Sequence, residues 1–123
     1  DKLLGGLPLQ TPWQHPDSYS SFHLYPIQIA PSGSNVSQQK IYQAMHLEGI
    51  QANLHYIPVY LQPFYAAMGF KPGYCPHAEN YYKQTISIPM FSCMTNEQQS
   101  HVIHTLSKAL AGQSRRKKEK VIM

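Results

Sequence analysis

A chain of 123 residues, 42% hydrophobic and only 13% charged, has the length and apolar content for one packed domain, which excludes a disordered or fibrous chain. The formal charge of +4 belongs to one run: five of the ten basic and one of the six acidic residues lie between Arg115 and Lys120, so the rest is neutral and offers no spread phosphate-binding face. No apolar run approaches the roughly twenty residues of a membrane span.

Residues 1–19 read as an irregular lead-in, broken by Gly5, Gly6, Pro8, Pro12 and Pro16. The start at Asp1 suits a fragment or a processed product. From Ser20 to Ala30 the pattern is strand-like, and Pro26, which cannot donate to a ladder, predicts a bulge or an edge there. A loop over 31–35 leads to a helix from about Ser37 to Glu48, with Ile41, Ala44 and Met45 as its apolar stripe. Gly49 stands where a left-handed residue ends a helix, and Ile50 is expected to fold back onto Met45.

Residues 51–57 alternate as a strand, with Ala52, Leu54 and Tyr56 toward the core and Asn53, His55 and Ile57 away from it. The sheet face turned from the helices then carries Asn53 and His55, with His23 or Tyr25 as a further candidate. Gln62 to Met68 predicts a helical turn closed by Gly69, and Lys71-Pro72-Gly73 a type II turn. A short helix over His77–Lys83 and a brief strand over Ile86–Ile88, stopped by Pro89, follow. The last helix opens on a capping box between Thr95 and Gln98, buries Val102, Ile103, Leu106 and Leu110, and stops near Gly112. This order predicts an α+β fold: a two-layer small domain, a short antiparallel sheet with helices on one face. Its expected bounds are 20–112, with 113–123 as a disordered basic tail.

The chemistry-bearing residues are sparse. His101 and His104 stand three apart on a helix, but no third ligand is near them in sequence and no metal site is expected. Cys75 and Cys93 belong to no short motif and read as idle thiols in a reducing cytoplasm. There is no G-x-S-x-G elbow and no glycine-rich phosphate loop, so no catalytic residue is expected in the chain. Tyr56, Tyr60, Phe64, Tyr65, Tyr74, Tyr81 and Tyr82 cluster between prolines, a composition that suits core and interface packing. So low a charge fraction also suits a surface normally covered by another domain.

The run Gly49-Ile-Gln-Ala-Asn-Leu-His-Tyr-Ile-Pro-Val-Tyr-Leu-Gln-Pro-Phe-Tyr65, with Ala78-Glu-Asn-Tyr-Tyr-Lys83 and Ile86-Ser-Ile-Pro-Met90, resembles the C-terminal part of the DegT/DnrJ/StrS sugar-nucleotide aminotransferases. That family has a helix ending in Gly-Ile, a His-Tyr-x-Pro strand, a Pro-x-Tyr turn, an Ala-Glu-x-x-Tyr helix, a Ser-x-Pro strand end and a final helix. All occur here in order, from about Ser20 to Leu110. The wording from His55 to Tyr65, and Phe22-His-Leu-Tyr-Pro-Ile27, is similar to the pseudaminic-acid branch, whose members aminate a UDP-linked 4-keto-6-deoxy-hexosamine.

The resemblance implies the small domain of a homodimeric cytoplasmic transaminase of surface polysaccharide or glycan biosynthesis. Pyridoxal phosphate would sit in an N-terminal large domain, with glutamate as the amino donor. The family's cofactor lysine lies in that large domain, and none of Lys2, Lys40, Lys71, Lys83 and Lys108 has a matching context, so the chain alone is expected to lack cofactor and activity. His55 and Tyr56, which fall on His-Tyr-x-Pro, and His23 become the candidates for contact with the nucleotide sugar. One departure stands out: family members often carry an arginine about where Gln38 lies, and no arginine precedes Arg115, so no arginine clamp for a pyrophosphate comes from this domain. The competing reading is a stand-alone binding or scaffold domain that kept the fold without the chemistry. Neither nucleic acid nor membrane is expected as a partner.

Overall fold

Paired caps fix where the two long helices begin and end. Ser37 accepts from the Lys40 amide at the start of α1 (Gln38–Leu47). At its other end Gly49, with φ +77°, turns the chain so that the Gly49 and Ile50 amides reach the His46 and Met45 carbonyls. That is a Schellman closure, and it buries Ile50 beside Met45 as expected. The final helix, named α4 (Asn96–Leu110), starts with the predicted capping box: Thr95 Oγ1 accepts from the Gln98 amide at 3.2 Å, and Gln98 Oε1 accepts from the Thr95 amide at 2.9 Å. The computed structural model describes residues 1–29 and 36–112; the loop at 31–35 and the basic tail at 113–123 lie outside the described residues.

Before α1 run β1 (Leu9–Gln10) and β2 (Tyr25–Ile29), and between α1 and α4 lie α2 (Pro63–Ala67), α3 (Pro76–Gln84) and β3 (Thr85–Ile88). The strands form an antiparallel three-stranded sheet in the order β1-β2-β3. The register pairs Tyr25 with Ile88 and Ile27 with Ile86, so Tyr25, Ile27, Ile29, Ile86 and Ile88 share one face. Against it α1 lays Ile41 and Met45, and α4 lays Val102, Leu106, Ala109 and Leu110, all buried in one cluster. The α+β class and the antiparallel sheet read from the sequence are the architecture observed.

Pro26 resolves in an instructive way. Its strand is central in the order, yet β1 reaches only Gln28 and Ile29, leaving that flank open at Pro26. On the other flank Ser87 turns both its backbone groups toward Asn53, so Pro26 and Ser87 face each other without hydrogen bonds. The missing proline N–H therefore costs no ladder bond, and the expected bulge or edge strand gives way to a central strand with one flank open at Pro26.

Three expectations are corrected. The lead-in over 1–19 is not wholly irregular: Leu4 is buried in the core and Leu9–Gln10 pairs with Ile29 and Gln28. Two residues of pairing fall below any readable periodicity. Tyr25 belongs to the core face, not the polar one, and its hydroxyl meets the Asp1 carboxylate. The strand expected over 51–57 shrinks to a single bridge between Asn53 and Ser87. The ladder cannot grow in either direction. Opposite Gln51 it would meet Pro89, which has no N–H to give. Opposite His55 it would meet Thr85, whose N–H is bound to the Tyr81 carbonyl and whose carbonyl accepts from Gln38 Nε2 at 2.6 Å. Without a ladder the alternation stops propagating, and Tyr56, expected inward, is 71% exposed.

Leu106 is fully buried between α1 and the sheet. Leu106→Ala is expected to cost about 2–5 kcal/mol, read as a lower midpoint in denaturant with an unchanged slope; an unaltered midpoint would mean that α4 is not docked on this core.

Candidate functional site

A cleft of about 450 Å³ opens where the start of β2, the end of β3, the 49–53 segment and the first turns of α4 converge. His55, His23 and His101 all line it. His55 Nδ1 lies 2.8 Å from the hydroxyl of Ser87, a residue only 4% exposed, and its ring rests 4.4 Å from that of Tyr56. His101 donates from Nε2 to the Glu48 carbonyl at 2.9 Å, closing the exposed end of α1 against α4. His23 is exposed and makes no hydrogen bond among the described residues. Leu24, Met90, Phe91 and Met94 supply apolar walls, and among the described residues no lysine, arginine, aspartate or glutamate lines the cleft. Such a site suits uncharged, ring-bearing ligand groups with oxygens to bind, since buried polar contacts fix orientation while apolar walls supply area. Tyr56 does not line the cleft; it stacks on His55 from outside.

A second surface was only partly legible. Beyond Asn53 the chain leaves the sheet and presents Tyr56, Val59, Phe64, Met68 and Tyr74, all exposed. Their rings are braced edge to face, Phe64 to Tyr65, Tyr65 to Phe70, Phe70 to Tyr74 and Tyr74 to Tyr60, with centroids 5.1–6.3 Å apart. The whole excursion is pinned at Glu79. Its Oε1 accepts from the Tyr60 hydroxyl at 2.5 Å and from the Gly73 amide at 2.6 Å. The Tyr60 hydroxyl also reaches the Cys75 backbone. Gly73, at φ +91°, is the third residue of the predicted type II turn, closed by the Tyr74 amide on the Lys71 carbonyl at 3.2 Å. The hydrogen bond from Tyr60, then that from Gly73, hold the Glu79 carboxyl below its usual range.

Ser87, Glu79 and Gln38 carry these arrangements, and none was singled out as a site residue from the sequence. Ser87 and Glu79 are the polar letters of Ser-x-Pro and Ala-Glu-x-x-Tyr, the one signal that pointed at them. Gln38, which stands where the family often has arginine, donates to the Tyr82 and Thr85 carbonyls at 2.7 and 2.6 Å and so ties α1 to the α3–β3 junction. Among the described residues no three His, Cys, Asp or Glu side chains converge as a metal site would require, and no helix is long and apolar enough to cross a membrane. Cys75 and Cys93 are free thiols.

The model of the DegT/DnrJ/EryC1/StrS aminotransferase family matches residues 1–107. The chain belongs to that family. Among family relatives, the spore coat polysaccharide biosynthesis protein SpsC of Bacillus subtilis is 32% identical over 106 residues, covering 85% of this chain and 27% of its own length. The UDP-4-amino-4,6-dideoxy-N-acetyl-beta-L-altrosamine transaminase of Helicobacter pylori is 30% identical, covering 88% of this chain and 28% of its own. Among solved structures, Spr1654 of Streptococcus pneumoniae in its PMP-form superposes with a TM-score of 0.81 at 23% identity, over 92% of this chain and 28% of that one, a likeness of fold. The chain thus spans about a quarter of the length of the relatives it matches.

Family membership raises the question of pyridoxal phosphate, and the residues present do not fit it. The cofactor needs a lysine for its aldehyde and donors for its phosphate, and among the described residues the cleft lined by His55 offers neither lysine nor arginine. No step through the cofactor is therefore derived from this chain.

The Glu79 cluster yields a pH dependence with a definite sign. Because the folded carboxyl is the stronger acid, its stabilisation is complete above the unfolded glutamate value and is lost as pH falls through the depressed folded value. Thermal melts are expected to lose stability on acidification below about pH 4.5, and Glu79→Gln is expected to be less stable at neutral pH and flatter across that range. Parallel curves for the two proteins would remove Glu79 from this role.

Proposed function

We propose that the chain is the C-terminal small domain of a cytoplasmic, pyridoxal-phosphate-dependent aminotransferase that transfers an amino group from glutamate to a nucleotide-linked 4-keto-6-deoxy sugar, in surface polysaccharide or glycan biosynthesis. One observation carries this reading: family membership over residues 1–107 in a chain of about a quarter of its relatives' length. The large domain of a full-length enzyme would hold the cofactor and its lysine. The small domain would bring His55 and His23 to the sugar nucleotide, with Tyr56 braced against His55. The name of the Helicobacter pylori relative, a transaminase of a UDP-linked dideoxy sugar, supports a UDP-linked substrate.

The braced aromatic surface supports the same reading from another side. Exposed aromatic rings braced on one another are the composition of an interface core. In the full-length enzyme the large domain, or the second subunit of a homodimer, is the cover that fits it.

Two measurements test the proposal. The 123-residue chain, mixed with pyridoxal phosphate and reduced with borohydride, is expected to show no adduct concentrated on one lysine, and a site-specific adduct would contradict it. A longer chain carrying the family's large domain ahead of Asp1 is expected to aminate a UDP-linked 4-keto-6-deoxy-hexosamine at the expense of glutamate. In that enzyme His55→Ala should weaken the sugar-nucleotide KM or turnover by about 1–3 kcal/mol, the cost of one lost polar contact. Full activity of His55→Ala would exclude it as a substrate contact.

A further inference from the structure

We propose that Ser87 is a positioning residue that holds His55 as a neutral imidazole with its proton on Nε2, so that His55 offers the cleft an N–H donor for an uncharged oxygen; the ligand half of this rests on the reading of His55 as a substrate contact. The hydrogen-bond inventory of the pair fixes the direction. Ser87 is 4% exposed, and among the described residues the partner of its hydroxyl is His55 Nδ1, 2.8 Å away. A buried hydroxyl proton needs an acceptor. Were Nδ1 protonated, it would donate to the Ser87 oxygen and leave the hydroxyl proton with nothing to bind. With the hydroxyl donating instead, Nδ1 must present its lone pair, and a neutral imidazole then carries its proton on Nε2.

The oxygen is held where this works. Ser87 exchanges backbone hydrogen bonds with Asn53, at 3.0 and 2.8 Å, so the strand that carries the hydroxyl is locked to the segment that carries the ring two residues on. Tyr56 limits the ring from a second side, with centroids 4.4 Å apart. His55 Nε2, on the edge of the ring away from Nδ1, has no partner among the described residues, while the residue lines the cleft. Among the described residues no lysine or arginine lines the cleft, and this favours an uncharged acceptor. A pyrophosphate is best held by arginine or lysine forks, which the described lining does not offer, whereas a sugar hydroxyl or keto oxygen needs only the donor.

The test uses the 123-residue chain in mildly alkaline buffer, with the long-range nitrogen–proton correlations of its imidazole rings recorded by NMR. Wild type is expected to show His55 in one tautomer, protonated on Nε2. Ser87→Ala should collapse that signature to the averaged pattern of a free histidine, and Ser87→Thr, which restores a hydroxyl, should recover it. A proton on Nδ1 in wild type, or an unchanged pattern in Ser87→Ala, would overturn the proposal. If Ser87→Ala does not fold, the wild-type and Ser87→Thr spectra decide it alone. Titration with N-acetylglucosamine and with inorganic pyrophosphate then separates the two readings. Movement of the His55 ring signals with the sugar and not with pyrophosphate supports the assigned acceptor, and the reverse overturns it. The expected tautomer with no response to the sugar leaves Ser87 as a positioning residue and refutes His55 as a substrate contact.

Discussion

Asn53 and Ser87 exchange both of their facing backbone hydrogen bonds, at 3.0 and 2.8 Å, and the geometry of the cleft hangs from that pair. It is the last point at which the segment after α1 touches the sheet in register. On one side of it Ile50 and Ala52 enter the core; on the other, His55 comes to rest against the Ser87 hydroxyl. By drawing both backbone groups of Ser87 to one flank, the pair also lets a proline sit opposite on β2 without an unpaired ladder position. A substitution near Asn53 would thus be felt at Pro26, at Ala52 and at His55 together.

The bridge stays one residue long because its neighbours are otherwise engaged. Pro89 has no donor, and Thr85 spends its N–H on Tyr81 and its carbonyl on Gln38. A glutamine side chain on α1 therefore takes the position that an extended strand would have taken, and it does so where relatives often carry arginine. The exchange is intelligible as structure: an amide donates to two carbonyls at once, within a junction where a guanidinium would bring a charge to be neutralised.

Much of the fold was legible because local chemistry and global packing agree. Gly49, Thr95 and Gln98 are terminal signals with a mechanism, and each performs it. The apolar stripe of α1 and the face of α4 emerged because both helices are long enough for a period to register. What escaped was non-local. Nothing in the spacing of positions 55 and 87, or of 60, 73 and 79, announces that they meet, since those contacts arise only once two separate stretches are pinned. The strand over 51–57 failed for a related reason: alternation describes a backbone held in a ladder, and here the ladder had no partner groups left to extend it. Among the candidate site residues, His23 and His55 are brought to one cleft while Tyr56 stays outside it.

Between Leu54 and Gln84 the chain makes a single excursion whose two ends are fixed by the same bridge. The entropy of closing such a loop rises only logarithmically with its length, about 0.6 kcal/mol for each doubling. Its internal order comes from its own anchors, the Tyr60–Glu79–Gly73 contacts and the braced rings, and not from continuous pairing with the sheet. The core of α1, α4 and the three strands meets this stretch through Gln38, which donates to the Tyr82 carbonyl, and through the packing of α3 beside β2, both near its far end. Residues added or removed between Val59 and Gly73 alter the outward surface, while His55, at the start of the excursion, stays tied to Ser87 as a wall of the cleft, which makes that middle stretch the part of the domain that sequence divergence can reshape at least cost to folding.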